Sequence, residues 1–142
     1  SFPPACAICS LPPPPPPTLP APGEQPDDPA AAEADVRQLV DDVFGPETPD
    51  ALERRVDDPT GLVEARDKLR ERYPDQSTGE SEYEVGELVF TSPTEAVFQF
   101  RAIVPDYGTL PWRIGSARLV DGEWKLTRSS VCTLFALGGI TC

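Results

Sequence analysis

The stretch Ala96-Val97-Phe98-Gln99-Phe100-Arg101-Ala102-Ile103-Val104 alternates without a break. Ala96, Phe98, Phe100, Ala102 and Val104 fall on one side, and Val97, Gln99, Arg101 and Ile103 on the other. Period two, with aromatic and β-branched residues, predicts a strand with one face in a core. Upstream, Tyr83 and Val85 alternate with Glu82 and Glu84, but past Gly86 the apolar parity moves to Leu88 and Phe90. A strand with a bulge at Gly86 accounts for the slip. Ser92-Pro93-Thr94 is a turn, so these two strands form a hairpin.

Downstream, residues 105–111 are expected to be a loop, followed by a third strand from Trp112 to Val120. Asp121-Gly122 is the signature of a two-residue type I′ turn. A fourth strand is expected from Glu123 to Val131. This register pairs Leu119 with Trp124 and Ala117 with Leu126 on the core side. It places Arg118 opposite Lys125 on the other face. Arg128, two residues beyond Leu126, is expected on the core face, where it needs a carboxylate partner or an anionic ligand.

The sequence before the strands reads as helix. Asp27-Asp28-Pro29 supplies a capping carboxylate and a first-turn proline. Val36, Leu39, Val40, Val43 and Phe44 then form one apolar stripe, stopped by Gly45-Pro46. Thr48-Pro49 starts a short helix carrying Leu52 and Val56. Asp58-Pro59 breaks it and begins a third, in which Leu62, Arg66, Leu69 and Tyr73 share a face before Pro74. Three helices and then four antiparallel strands is an α+β order, with the helices on one face of a curled sheet.

Twelve of the 19 prolines lie in residues 1–29, which reads as a proline-rich extended arm ahead of a domain spanning 30–142. The run Pro12, Pro13, Pro14, Pro15, Pro16, Pro17 has every φ fixed and no backbone donor, so polyproline II is expected. Phe2, Ile8, Leu11 and Leu19 place apolar side chains around it. A plain spacer has no need of them, so the arm is a candidate for docking on a protein partner. Ser1 is followed at once by Phe2-Pro3-Pro4, with no basic start or apolar leader. A mature protein whose leader has been removed, or a piece cut from behind a membrane anchor, reads this way.

Cys6, Cys9, Cys132 and Cys142 are the four cysteines, and none lies between residues 10 and 131. Locality favours Cys6–Cys9 and Cys132–Cys142 pairs, the first also open to a cross-link with a partner. Disulfides point to an extracytoplasmic compartment. The Cys6-Ala7-Ile8-Cys9 spacing is that of redox motifs, but it sits among prolines rather than at a helix N-terminus, where a thiol would be activated.

Formal charge is −12, which argues against nucleic acid or an anionic lipid surface as partner. Residues 30–100 carry a net −11 and residues 101–142 a net +2. Histidine is absent, which removes the usual general base and favoured metal ligand. No phosphate loop, nucleophile elbow or metal-ligand cluster stands in for it. No catalytic residue, metal or cofactor is therefore expected, and no run is long and apolar enough to span a membrane. The alternative keeps a small-ligand pocket or isomerase-like site at Asp106, Tyr107, Trp112, Trp124 and Arg128. There, Asp106 beside Tyr107 would support proton abstraction next to a carbonyl.

The run Asp121-Gly122-Glu123-Trp124-Lys125-Leu126-Thr127-Arg128, with Val131-Cys132-Thr133-Leu134 and Gly138-Gly139-Ile140-Thr141-Cys142, resembles the tail of the actinobacterial secreted low-molecular-weight antigen family. The resemblance covers residues 112–142, and the Cys-bearing arm departs from the family's pattern. It implies a cone-shaped, nuclear-transport-factor-2-like domain, a C-terminal disulfide, and secretion or residence in the cell envelope. It implies no catalytic residues. The resulting expectation is a non-enzymatic binding or accessory domain docked through its arm, or a stable accessory subunit of a larger membrane-associated assembly.

Overall fold

A computed structural model describes residues 15–44, 49–74, 81–105 and 107–142. Three helices come first: α1 (Pro29–Phe44), α2 (Pro49–Arg54) and α3 (Leu62–Arg72). Five strands follow: β1 (Glu82–Ser92), β2 (Glu95–Val104), β3 (Gly108–Thr109), β4 (Arg113–Val120) and β5 (Glu123–Leu126). A last helix, α4 (Arg128–Leu137), closes the chain. The antiparallel sheet runs β1-β2-β4-β5, with β3 added to β2.

Asp28 opens α1 by accepting the Ala31 amide at 3.1 Å on its side chain, with Pro29 in the first turn. Val36, Leu39 and Val40 are fully buried, so the stripe is the face that meets the sheet. The bulge falls where the parity slips: Val85 pairs with Phe100 but Leu88 with Phe98. Asp121 and Gly122 have φ of 52° and 79°, the left-handed pair of a type I′ turn. The hairpin register is Ala117–Leu126, Arg118–Lys125 and Leu119–Trp124, as the sequence predicts.

Three expectations are corrected. Residues 105–111 are not wholly loop, because Gly108 and Thr109 pair with Val104 and Ile103. The fourth strand ends at Leu126 instead of Val131, and the chain turns into α4. The cause is a cluster of hydroxyls. The Thr127 amide still reaches the Ser116 carbonyl at 3.0 Å, but the Ser130 hydroxyl then takes the Ser116 amide at 2.8 Å. That ends the ladder from the side. The Arg128 amide, first in the helix, is accepted by the Asp57 carboxylate at 2.9 Å. Alternation of Thr127, Ser129 and Val131 mimics a strand, and these side-chain bonds override it. Arg128 consequently leaves the core face. Its guanidinium donates to the carbonyls of Thr60 and Asp58, 2.5 and 3.1 Å away.

The second half of the proline-rich segment is tied to the sheet. The Gly23 amide donates to the Phe90 carbonyl on β1 at 2.9 Å. The Gln99 side-chain amide donates to the Pro17 carbonyl at 3.1 Å. Gly23 lies so close to Thr91 that a Cβ there would stand 2.1 Å from the Thr91 carbonyl oxygen. Pro15 and Pro16 are exposed, while Pro17 and Leu19 are half-buried.

One core forms between α1 and the inner face of the sheet. Phe98, Phe100, Leu39, Leu52, Leu62 and Leu126 are its largest fully buried side chains. Phe44, at the end of α1, stacks on Phe100 at 5.8 Å and meets Tyr83 at 5.4 Å.

Candidate functional site

A cavity of about 220 Å³ lies where α3 and α4 cross the β2 end of the sheet. From α3 come Arg66, Leu69, Arg70 and then Tyr73; from α4 come Leu134, Phe135 and Leu137. The sheet side supplies Tyr83, Ala102 and Val104, and the following loop Tyr107 and Leu110. Phe135 and Ala102 are deeply buried, whereas Tyr107 (64% exposed) and Leu137 (36%) stand at the solvent. The cavity thus has an apolar floor and a mouth framed by an aromatic and an aliphatic side chain.

Local sequence explains the placement. Arg66, Leu69 and Arg70 recur at helical spacing on one face of α3, and Tyr73 follows just past its end. The C-terminal segment is pinned by the Cys132–Cys142 disulfide, whose Cα atoms are 5.6 Å apart. That closure folds Ile140 (8% exposed) back beneath α4 and keeps Leu134 and Phe135 against the core. The Arg72 guanidinium, at the end of α3, donates to the carbonyls of Gly138 and Gly139, both at 3.3 Å, which joins the two helices beside the cavity.

The electrostatics are lopsided. No Asp or Glu lines the cavity among the described residues, and its ionisable groups are two guanidiniums and three phenols. Burial pushes the Tyr83 hydroxyl above its ordinary value, partly offset by a hydrogen bond with Ser81 and by the Arg70 charge. Burial likewise pushes Arg66 below its ordinary value, with the Arg70 charge acting the same way. The Arg66 Nε is buried with no hydrogen-bond partner among the described residues.

Of the pocket residues proposed from sequence, Tyr107 lines the cavity. Trp124 is a core residue 5.8 Å from the Phe90 ring, away from it. Trp112 belongs to the outer face of the sheet, with the Arg101 guanidinium 4.2 Å over its ring and Arg101 held by Glu84 at 2.8 Å. Arg128 sits at the start of α4, bound to the Asp58–Thr60 turn. Asp106 lies outside the described residues, as do Cys6, Cys9, Phe2, Ile8, Leu11 and Pro12 to Pro14. Sequence reasoning missed Arg70, Tyr83 and the α4 side chains as site residues. The one signal for the rest was the shared face of Arg66, Leu69 and Tyr73.

Such a site can enclose an apolar molecule and present cationic and phenolic donors to it. It offers no carboxylate base among the described residues. No helix among the described residues is long and apolar enough to cross a membrane. No curated protein and no solved structure matches the chain. A family model does match, over residues 29–142, from the first residue of α1 to the end: low molecular weight antigen MTB12, C-terminal domain. The match covers the whole folded unit and the disulfide that closes it, and the chain belongs to this antigen family.

Proposed function

We propose that the domain is an extracytoplasmic, non-enzymatic binding protein that holds a small apolar ligand in the cavity between α3, α4 and the sheet. The observation that carries this is the lining: apolar walls around a buried floor, open at Tyr107 and Leu137, with no acid–base pair among the described residues. Concave apolar sites with a few convergent donors are the common form of small-molecule sites. We read the helices and sheet as the cone of the nuclear-transport-factor-2-like fold, a shape that suits enclosure of a ligand. Membership of the antigen family and the Cys132–Cys142 bridge support secretion or residence in an actinobacterial cell envelope.

The test is an NMR titration of the full chain with octan-1-ol. Amide signals of Leu69, Ala102 and Leu134 shift in the wild type. In Leu137→Trp, which fills the mouth from an exposed position, affinity falls at least tenfold at unchanged melting temperature. Absence of any shift in the wild type overturns the reading.

A second reading gives the chain a protein partner, reached through the proline-rich arm. It is favoured by the anchoring of Pro17 and Gly23 on the sheet, which gives the residues before them a fixed point of departure. A photoreactive group placed at Phe2 then cross-links to the partner, and removing residues 1–14 abolishes co-purification with that partner at unchanged melting temperature. Cross-links formed equally well from a group at Lys68, exposed on α3, rule it out.

A further inference from the structure

We infer that the ligand is a neutral aromatic molecule, a single substituted ring in size, packed against the rings of Tyr83 and Phe44. This rests on the cavity being a ligand site.

The first observation is where the rings are. All three tyrosines of the chain, Tyr73, Tyr83 and Tyr107, line this one cavity, together with Phe44 and Phe135. They arrive from α1, the end of α3, β1, the loop before β3, and α4, so no local period groups them. The second is a ladder of rings that ends there. Phe98 meets Phe100 at 6.1 Å, Phe100 meets Phe44 at 5.8 Å, and Phe44 meets Tyr83 at 5.4 Å. Phe98 and Phe100 are buried in the core, whereas Phe44 and Tyr83 line the cavity. A ring entering the cavity adds the next rung, in the range of spacings that aromatic pairs favour. The Tyr83 hydroxyl is hydrogen-bonded with Ser81, so this residue brings a ring rather than a free donor.

Charge does not select the ligand. The Arg66 Nε is enclosed, Arg70 has a partner, and no carboxylate lines the cavity among the described residues. The floor is Ala102 and Phe135, which compensate no charge, so the buried part of the ligand enters uncharged. Size sets the rest. A dry apolar cavity of about 150 Å³ takes benzene, so 220 Å³ takes roughly nine heavy atoms, one ring with a short substituent.

The experiment titrates the full chain, by NMR, with three neutral alcohols of that size: 2-phenylethanol, 2-cyclohexylethanol and octan-1-ol, the last a probe of the cavity itself. 2-Phenylethanol binds roughly fivefold more tightly than 2-cyclohexylethanol, the worth of one ring pair. Apolar burial alone gives the opposite order, because the saturated ring carries more apolar surface. Nuclear Overhauser contacts join the ligand ring to Tyr83 and Phe44. Tyr83→Phe keeps the preference and Tyr83→Leu removes it, read as the ratio of the two affinities in each protein. The wild-type ratio needs no variant, so a Tyr83→Leu protein that fails to fold leaves the inference open to refutation. Equal binding of the two ring alcohols, or tighter binding of the saturated one, overturns the aromatic ligand and keeps the cavity where octan-1-ol still binds. Ring contacts to Trp112 instead of Tyr83 overturn it too, by placing the binding on the outer face of the sheet. Binding of none of the three overturns the ligand site itself.

Discussion

The side-chain amide of Gln99 donates to the Pro17 carbonyl at 3.1 Å, joining the middle of the sheet to a residue 82 positions earlier. Its oxygen accepts the Glu87 amide at 3.3 Å, inside the β1 bulge. One carboxamide therefore closes the bulge and fastens the proline-rich segment, and it is 8% exposed. Gly86, at the bulge, leaves it room: a Cβ there would stand 2.8 Å from the Gln99 oxygen and 3.1 Å from the Trp112 ring.

Replacing Gln99 by Leu keeps the volume and strips both partners of their bond. A buried group left unsatisfied costs about 1–3 kcal/mol. The expected outcome is a melting temperature lower by several degrees. Hydrogen exchange should quicken at Gly23 and Glu87 and stay unchanged in α1. Because Gly23 is bonded to β1, removing residues 1–25 should also lower the melting temperature, in contrast to removing 1–14.

Asp57 supports the helix that the hydroxyl cluster starts after Leu126. Its carboxylate accepts the Arg128 amide at 2.9 Å, and Asp57→Ala leaves that helix start open. Loss of such a cap costs about 0.5–2 kcal/mol. Urea unfolding should show that loss, with amide exchange rising first at Ser129 and Ser130. Asp57→Asn should recover much of it.

Cutting the C-terminal bridge should loosen the cavity before it unfolds the sheet. The bridge closes a short loop, worth about 2.5–3 kcal/mol in the chain-entropy model. Cys132→Ser with Cys142→Ser should lose about that much in denaturant unfolding. Ile140 is no longer held beneath α4, so octan-1-ol affinity should fall more than the hydrogen-exchange protection of β2.

Tyr83 makes stability fall at alkaline pH. Burial raises its folded value above the ordinary value of about 10, so the neutral hydroxyl is the form the fold prefers. Below pH 10 the phenol is neutral in both states and the full stability is present. As pH rises past 10 the unfolded chain releases the proton first, and stability is lost until the folded group titrates as well. Tyr83→Phe should flatten that decline in melting temperature between pH 9.5 and 11.5 relative to the wild type.

Much of the fold is legible in the residues because its signals are local. Alternation from Ala96 to Val104, the parity slip at Gly86 and the Asp121-Gly122 turn each depend on neighbours within a few positions, and each stands where it was read. The site is far less legible. Leu62, Arg66, Leu69 and Tyr73 declare a shared helix face, but nothing local says that α4 faces it across a gap. Trp124 and Trp112 look alike in sequence, yet one packs on Phe90 in the core and the other lies under Arg101 on the outer face.

By itself the sequence determined the first three helices and the hairpin strands after them, the register across Asp121-Gly122 and the pairing of Cys132 with Cys142, because backbone sterics, side-chain period and loop length act over short distances. Only the tertiary structure decided where β5 stops, which face Arg128 leaves, and that Pro17 and Gly23 lie on the sheet. Each turns on a hydrogen bond between groups far apart in the chain: Arg128 to Asp57, Gln99 to Pro17, Gly23 to Phe90. A donor's local sequence is the same whether or not such an acceptor is brought to it. Packing of the whole chain brings it there, and the cost of leaving a buried donor unpaired then selects the conformation.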